Sequence, residues 1–78
     1  MPFIKRSGSF RYTIQDNDHN PPHIHVRDRR HEARITVDGI VLSNTGFKSR
    51  NLKVMIAFIE RYREDFEEAW NELRPKRD

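Results

Sequence analysis

The sequence contains no cysteine and no long apolar segment, and each absence excludes a class of protein. Without cysteine the chain can form no disulfide and offers no thiolate as a nucleophile or metal ligand. Its longest apolar run, VMIAFI at 54–59, is far shorter than the roughly 20 residues that a membrane-spanning helix requires. The opening MPFIKRSGSF turns polar at once, unlike a secretory signal peptide. These features predict a cytoplasmic protein with no membrane partner.

The chain is short and its charge is unevenly distributed. At 78 residues it predicts a single domain, 1–78, with a modest core. The net charge is +3. Residues 1–63 contain twelve Lys/Arg and six Asp/Glu, whereas residues 64–73 contain five acidic residues and no basic residue. A basic body is typical of proteins that bind a polyanion such as nucleic acid, although a solvated surface explains the same composition.

Alternating apolar and polar residues predict an antiparallel sheet in the first part of the chain. The period of two is clear at 10–15, 23–27 and 33–37, where aromatic and β-branched side chains occupy every second position. Asp38-Gly39 then predicts a two-residue hairpin turn leading to a short fourth strand at 40–42.

From about residue 50 the apolar residues recur at intervals of three and four, which predicts helix. They are Leu52, Met55, Ile56, Ile59, Tyr62, Phe66, Trp70 and Leu73. Arg63 would fall near the middle of this apolar stripe, so we expect either a break near 62–64 or an arginine that extends to solvent. The predicted fold is therefore α+β, a three- to four-stranded antiparallel sheet with one long kinked or two C-terminal helices packed on one face.

The strand pattern assigns one set of residues to the sheet face opposite the helices. These residues are Arg11, Thr13, Gln15, His23, His25, Arg27, Arg34 and Thr36. Antiparallel sheets with one covered face commonly leave the other in contact with water. We therefore expect an open, basic face that carries two histidines.

The segment DNDHNPPHIHVRD, residues 16–28, contains three of the four histidines and permits a metal site. His23 and His25 are two residues apart on a strand, so both rings would leave the same face. His19 or Asp18 on the preceding loop could supply a third ligand, which is the ligand number of catalytic zinc sites. This interpretation predicts a divalent transition metal as cofactor.

The same residues also permit acid–base catalysis or simple binding. Histidine titrates close to neutral pH, so His23 and His25 could act as the acid–base pair in phosphodiester cleavage. Arg27 and Arg34 would then contact the phosphate, and Arg11 would extend the same binding surface. In the simplest alternative these side chains hold phosphate and sugar without chemistry.

A purely structural interpretation applies to the loop that precedes the histidines. Pro21 and Pro22 restrict the backbone, and the side chains of Asp16, Asp18 and Asn20 can bond nearby amides. His19 would then be a turn residue. His23 and His25 together favour a functional interpretation, because two outward histidines would contribute nothing to the core.

The run DHNPPHIHV, residues 18–26, resembles the hallmark of a small prokaryotic family, domain of unknown function 4160. The opening Met1-Pro2, the Asp38-Gly39 hairpin and a C-terminal helical stretch ending in Trp70 are also similar, so the resemblance covers roughly residues 1–73. The chain departs from the family at Phe58, where a tryptophan is frequent, and in SNTGFKSRN after residue 42.

The resemblance implies a compact α+β domain and one half of a toxin–antitoxin pair. The family residues that carry over are Asp18, His19, Asn20, Pro21, Pro22, His23 and His25. The leading hypothesis is a toxin-like component that binds RNA through its His/Arg face, with Asn20 as a further substrate contact and with cleavage of the bound RNA left open. A small antitoxin-like protein would cover that face. The alternatives are a non-enzymatic protein-interaction module and a metal-dependent hydrolase.

Overall fold

The computed structural model describes residues 3–15 and 21–72 and has an α+β fold. Five strands precede two helices along the chain. They are β1 (Phe3–Ser7), β2 (Phe10–Ile14), β3 (His23–Arg27), β4 (Glu32–Thr36), β5 (Val41–Asn44), α1 (Ser49–Arg61) and α2 (Arg63–Glu72). Among these described elements, neither helix has the length and apolar character needed to cross a membrane.

The sheet is antiparallel throughout, with its strands in the order β1-β2-β3-β4-β5. The prediction of three to four strands was wrong because it omitted β1. The segment FIKRS lacks the clean alternation that identifies a half-buried strand. Its pairing with β2 depends on the turn at Gly8 and Ser9, where Gly8 has a φ of 60° that favours glycine.

The β4–β5 turn also differs from the prediction. The N–H of Thr36 donates to the carbonyl of Ile40 at 2.8 Å, so the loop holds three residues, 37–39, instead of two. Gly39 takes the left-handed conformation, with φ at 88°, as a three-residue hairpin of this kind requires. The extra loop residue moves the start of the next strand from the predicted position 40 to Val41.

The helical region breaks at Tyr62, which confirms a break near 62–64 and gives two helices. Tyr62 has φ −109° and ψ 25°, yet its N–H still donates to the carbonyl of Phe58 at 3.1 Å. Arg63 leaves the apolar stripe and reaches Asp38, with Nη2 at 2.6 Å from Oδ1. This ion pair connects the start of α2 to the β4–β5 turn.

The core lies between the sheet and the helices and follows the predicted pattern closely. Its buried apolar residues are Tyr12, Ile14, Ile24, Val26, Ala33, Ile35, Val37, Phe47, Met55, Ile59, Phe66, Ala69 and Trp70. The Tyr12 ring packs between the helices, with centroids at 4.4 Å from Phe58 and 6.3 Å from Phe66. Burial raises the pKa of Tyr12 to about 12. The Tyr12 hydroxyl has no hydrogen-bond partner within the described ranges.

Candidate functional site

Three arginines are aligned across neighbouring strands on the sheet face opposite the Tyr12 ring. Arg6 is directly opposite Arg11, and Arg11 is directly opposite Arg27. We call Arg6, Arg11 and Arg27 the arginine row. Directly opposed residues in an antiparallel pair share a face, and neighbouring strands lie about 4.8 Å apart. All three side chains are exposed, so the row presents a line of positive charge to solvent.

The only carboxylate on the arginine row within the described part of the chain is that of Glu32, at its β4 end. Glu32 is opposite Arg27 in the register, and its Oε2 accepts a hydrogen bond from Arg27 Nη2 at 2.8 Å. No carboxylate among the described residues lies within 4.0 Å of Arg6 or Arg11. Like charges placed directly opposite each other are destabilising. Arg6 and Arg11 therefore keep their mutual repulsion in the folded chain.

The two histidines on the same face are buried, which corrects the expectation of an open, solvated site. His23 is 8% exposed and His25 is 4% exposed, and Thr36 opposite His23 is 4% exposed. The histidine rings contact each other, with centroids 5.1 Å apart. Histidines thus contribute to packing here, contrary to the argument that outward-facing rings do nothing for the core.

His23 is held between the backbone of the preceding loop and α2. Its Nδ1 lies 2.8 Å from the carbonyl oxygen of Pro21. A carbonyl oxygen only accepts, so Nδ1 must carry the proton, and Nε2 is the basic nitrogen of the neutral ring. The indole of Trp70 packs on the other side, with ring centroids 5.5 Å apart. Packing and hydrogen bonding therefore determine both the orientation and the tautomer of His23.

His25 has an acidic neighbour that the sequence analysis did not single out. Its Nδ1 lies 3.8 Å from Oε2 of Glu32, the same oxygen that binds Arg27. The hydrogen bond from Arg27 is the main cause that lowers the pKa of Glu32, and the charges of Arg27, His25 and Arg34 act in the same direction. Glu32 therefore connects the arginine row to the buried histidines, since one of its oxygens binds Arg27 and lies beside His25.

Glu32 also gives the fold a testable pH dependence. Because its folded-state pKa lies below the ordinary value of 4.5, its contribution to stability is complete above that pH and is lost as the pH falls through the lowered pKa. The Glu32→Gln variant should therefore lose less stability than wild type on acidification below about pH 4.5. Urea unfolding at a series of pH values measures this. Glu60→Gln, the same change at an exposed glutamate of α1, should keep the wild-type profile; equal profiles for wild type and Glu32→Gln would contradict the prediction.

The metal hypothesis gains no support from the described residues. No group of three His, Cys, Asp or Glu side chains in residues 3–15 and 21–72 is arranged to hold a metal ion. Asp18 and His19, the predicted third ligands beside His23 and His25, lie outside the described residues, as does Asn20. His31 belongs to a different region, where its ring packs on Phe47 at 5.4 Å.

Most of the other predicted site residues lie close together in the structure, and three residues that were not predicted lie beside them. Arg34 is exposed and opposite His25, and Arg11 lies in the arginine row beside Arg27. The additional residues are Arg6, Glu32 and Trp70. Arg6 was missed with β1, and Glu32 was not singled out as a site residue, although it directly precedes the alternating residues of β4. No pattern in the sequence linked Trp70 to His23.

Comparison with known proteins identifies a family whose description names no activity. A profile of the family described as Domain of unknown function (DUF4160) matches residues 9–71, more than half of the chain. No curated protein and no solved structure matches the chain. The matched segment includes four of the five strands, together with His23, His25 and Trp70. This chain is a member of the DUF4160 family.

Proposed function

We propose that this protein is the toxin-like component of a prokaryotic toxin–antitoxin pair and that it binds RNA through the arginine row. The observation that carries RNA binding is the alignment of Arg6, Arg11 and Arg27 across three adjacent strands. A sugar–phosphate chain laid along the row would place negative charge against each guanidinium and relieve their repulsion. The planar guanidinium group also matches phosphate geometry through paired hydrogen bonds.

The charge distribution of the fold supports the same surface. The row lies on the face opposite the helices, where Arg34 adds a further exposed cation. Asp65 of α2 lies on the other side, where Lys5, which is opposite Tyr12, reaches it with Nζ at 3.7 Å from Oδ2. The aligned guanidinium groups therefore attract an anionic strand to this face of the sheet.

Cleavage of the bound RNA by His23 and His25 is a second candidate activity. The hydrogen bond to Pro21 leaves Nε2 of His23 as its basic nitrogen, and Glu32 lies beside His25. The two rings could then act as an acid–base pair on the sugar and phosphate. Since the rings are 8% and 4% exposed, the reacting phosphate would have to lie directly on their exposed edges.

The toxin-like role rests on the family resemblance and implies a cytoplasmic protein with a small antitoxin-like partner. That partner would neutralise the toxin by covering the arginine row. Acidic side chains are the complementary chemistry for such a surface. Competition between purified partner and RNA for the row would follow from this arrangement.

The variant His23→Asn separates cleavage from folding and binding. The asparagine amide can still donate to the Pro21 carbonyl, but it has no basic nitrogen. We expect the variant to fold, to bind RNA within about twofold of wild type, and to lose both RNA cleavage and growth arrest on induction in bacteria. Gel analysis of incubated RNA and growth at matched soluble levels measure these outcomes.

His31→Asn is the matched control, since His31 packs on Phe47 away from the paired rings. It should cleave and arrest growth as wild type does. If His23→Asn cleaves RNA normally, the histidines are not catalytic. If wild type neither cleaves RNA nor arrests growth yet binds RNA, the protein is a binding module. If wild type does not bind RNA at low salt, the proposed function is wrong.

A further inference from the structure

An open pocket of about 290 Å³ lies over the arginine row, at the end of the sheet where the β1–β2 and β3–β4 turns meet. The β1–β2 turn, at Gly8 and Ser9, forms one wall, and the start of the β3–β4 turn, at Asp28 and Arg29, forms the other. Four arginines line it, namely Arg6, Arg11, Arg27 and Arg29. The pocket therefore collects more positive charge than any single position along the row.

The acidic groups near this pocket are already engaged. Oδ1 of Asp28 accepts hydrogen bonds from the backbone N–H groups of Arg30 and His31, both at 2.8 Å. These two bonds are the main causes that lower the pKa of Asp28. Glu32 is bound to Arg27. In residues 3–15 and 21–72, no carboxylate lies within 4.0 Å of Arg6, Arg11 or Arg29, so three guanidinium groups reach the pocket without a counter-charge.

We propose that this pocket binds the terminal phosphate at an end of an RNA strand. An internal phosphodiester carries one negative charge. A terminal phosphomonoester carries about −1.5 to −2 and offers three acceptor oxygens. Three guanidinium groups with no nearby carboxylate therefore suit the terminal phosphomonoester better than an internal phosphodiester, because the monoester has the larger negative charge and three acceptor oxygens. The inference deepens the proposed RNA-binding function and rests on it.

Two further residues line the pocket. Ser9 carries a hydroxyl that can donate a hydrogen bond to a phosphate oxygen. Phe10 shares the helix side of the sheet with Tyr12, and its ring packs edge-to-face against Phe47 with centroids 5.7 Å apart. This contact attaches the pocket wall at the start of β2 to the core.

The test uses one internally labelled oligoribonucleotide in three forms, which carry a 5′-phosphate, a 3′-phosphate or hydroxyls at both ends. Fluorescence anisotropy should show that the protein binds one of the two phosphorylated forms about tenfold more tightly than the hydroxyl-ended form. Arg29→Gln should remove this preference while leaving affinity for the hydroxyl-ended RNA within about threefold. Arg50→Gln, the same change at an exposed arginine of α1, should keep the preference. Inorganic phosphate and the corresponding mononucleotide are tested as competitors.

The outcomes separate this inference from the proposed function. Wild type and Arg50→Gln should bind one phosphorylated RNA more tightly than the hydroxyl-ended RNA, and Arg29→Gln should not. This result supports the end site and shows whether it binds the 5′- or the 3′-phosphate. Equal affinity for all three RNAs overturns the end site and leaves RNA binding intact. Binding to none of them overturns both. If the mononucleotide competes as well as the phosphorylated RNA, the pocket is a free-nucleotide site and the inference is wrong.

Discussion

Replacing Arg6, Arg11 and Arg27 together with glutamine should weaken binding to single-stranded RNA by about 100-fold at about 100 mM salt. A hydrogen bond to a charged group contributes about 1.5–3 kcal/mol, and each 1.4 kcal/mol is tenfold in affinity. Three such contacts could account for a larger loss, but the side chains are exposed and solvent screens them. Fluorescence anisotropy against labelled RNA measures the change.

The salt dependence of the triple variant is a sharper measure than its affinity at one salt concentration. Each neutralised phosphate on a single strand adds about −0.7 to the slope of log K against log salt. Losing three contacts should therefore make the slope shallower by about 2. The variant should remain folded, because the substitution also removes the repulsion between directly opposed arginines.

A second triple variant controls for total charge. Arg50, Lys53 and Arg61 are exposed on α1, on the helical side of the sheet, and their replacement with glutamine removes the same three charges. Its RNA affinity should fall by less than about threefold and its slope should be unchanged. Equal losses in the two variants would mean that RNA responds only to net charge and that the arginine row is not a binding surface.

Phe66→Ala should be the most damaging single substitution for stability, with a loss of about 3–5 kcal/mol. Phe66 is fully buried on α2, and its ring packs against Tyr12 of β2 at 6.3 Å and Phe58 of α1 at 6.4 Å. One ring thus joins both helices to the sheet. Since small domains are stable by only about 5–15 kcal/mol, the variant should lose a large share of its total stability.

Thermal and urea unfolding measure this effect. The unfolding midpoint of Phe66→Ala should fall by at least about 10 °C. The control is Val54→Ala, which also shortens an apolar side chain but at a position that is 55% exposed; its stability should stay within about 0.5 kcal/mol of wild type. A loss below about 1 kcal/mol for Phe66→Ala would show that the helices do not depend on this contact.

Residues buried on the helix side of the sheet were predictable because their burial follows local periodicity. Alternation placed Tyr12, Ile24, Val26 and Ile35 in the core, and the helical spacing did the same for Ile59 and its neighbours. The break at Tyr62 was one of two alternatives that the sequence left open, since an uninterrupted helix would have placed Arg63 near the middle of the apolar stripe. In each case a residue's environment depends mainly on positions within a few residues of it.

The features that were missed depend on contacts between distant parts of the chain. β1 becomes a strand through pairing with β2, and its own residues alternate poorly. The burial of His23 depends partly on Trp70, which is far away in sequence. Glu32 faces both Arg27 and His25 because of the register between β3 and β4. Periodicity assigns a face to each of these residues but does not reveal which side chains meet there.

The concentration of positive charge in the arginine row has a kinetic consequence. Three guanidinium groups lie side by side on one face of the sheet, so the positive potential is strongest there. In the field of a polyanion this potential biases encounters toward the face that binds. Association should consequently approach the diffusion limit at low ionic strength and slow steeply as salt is added.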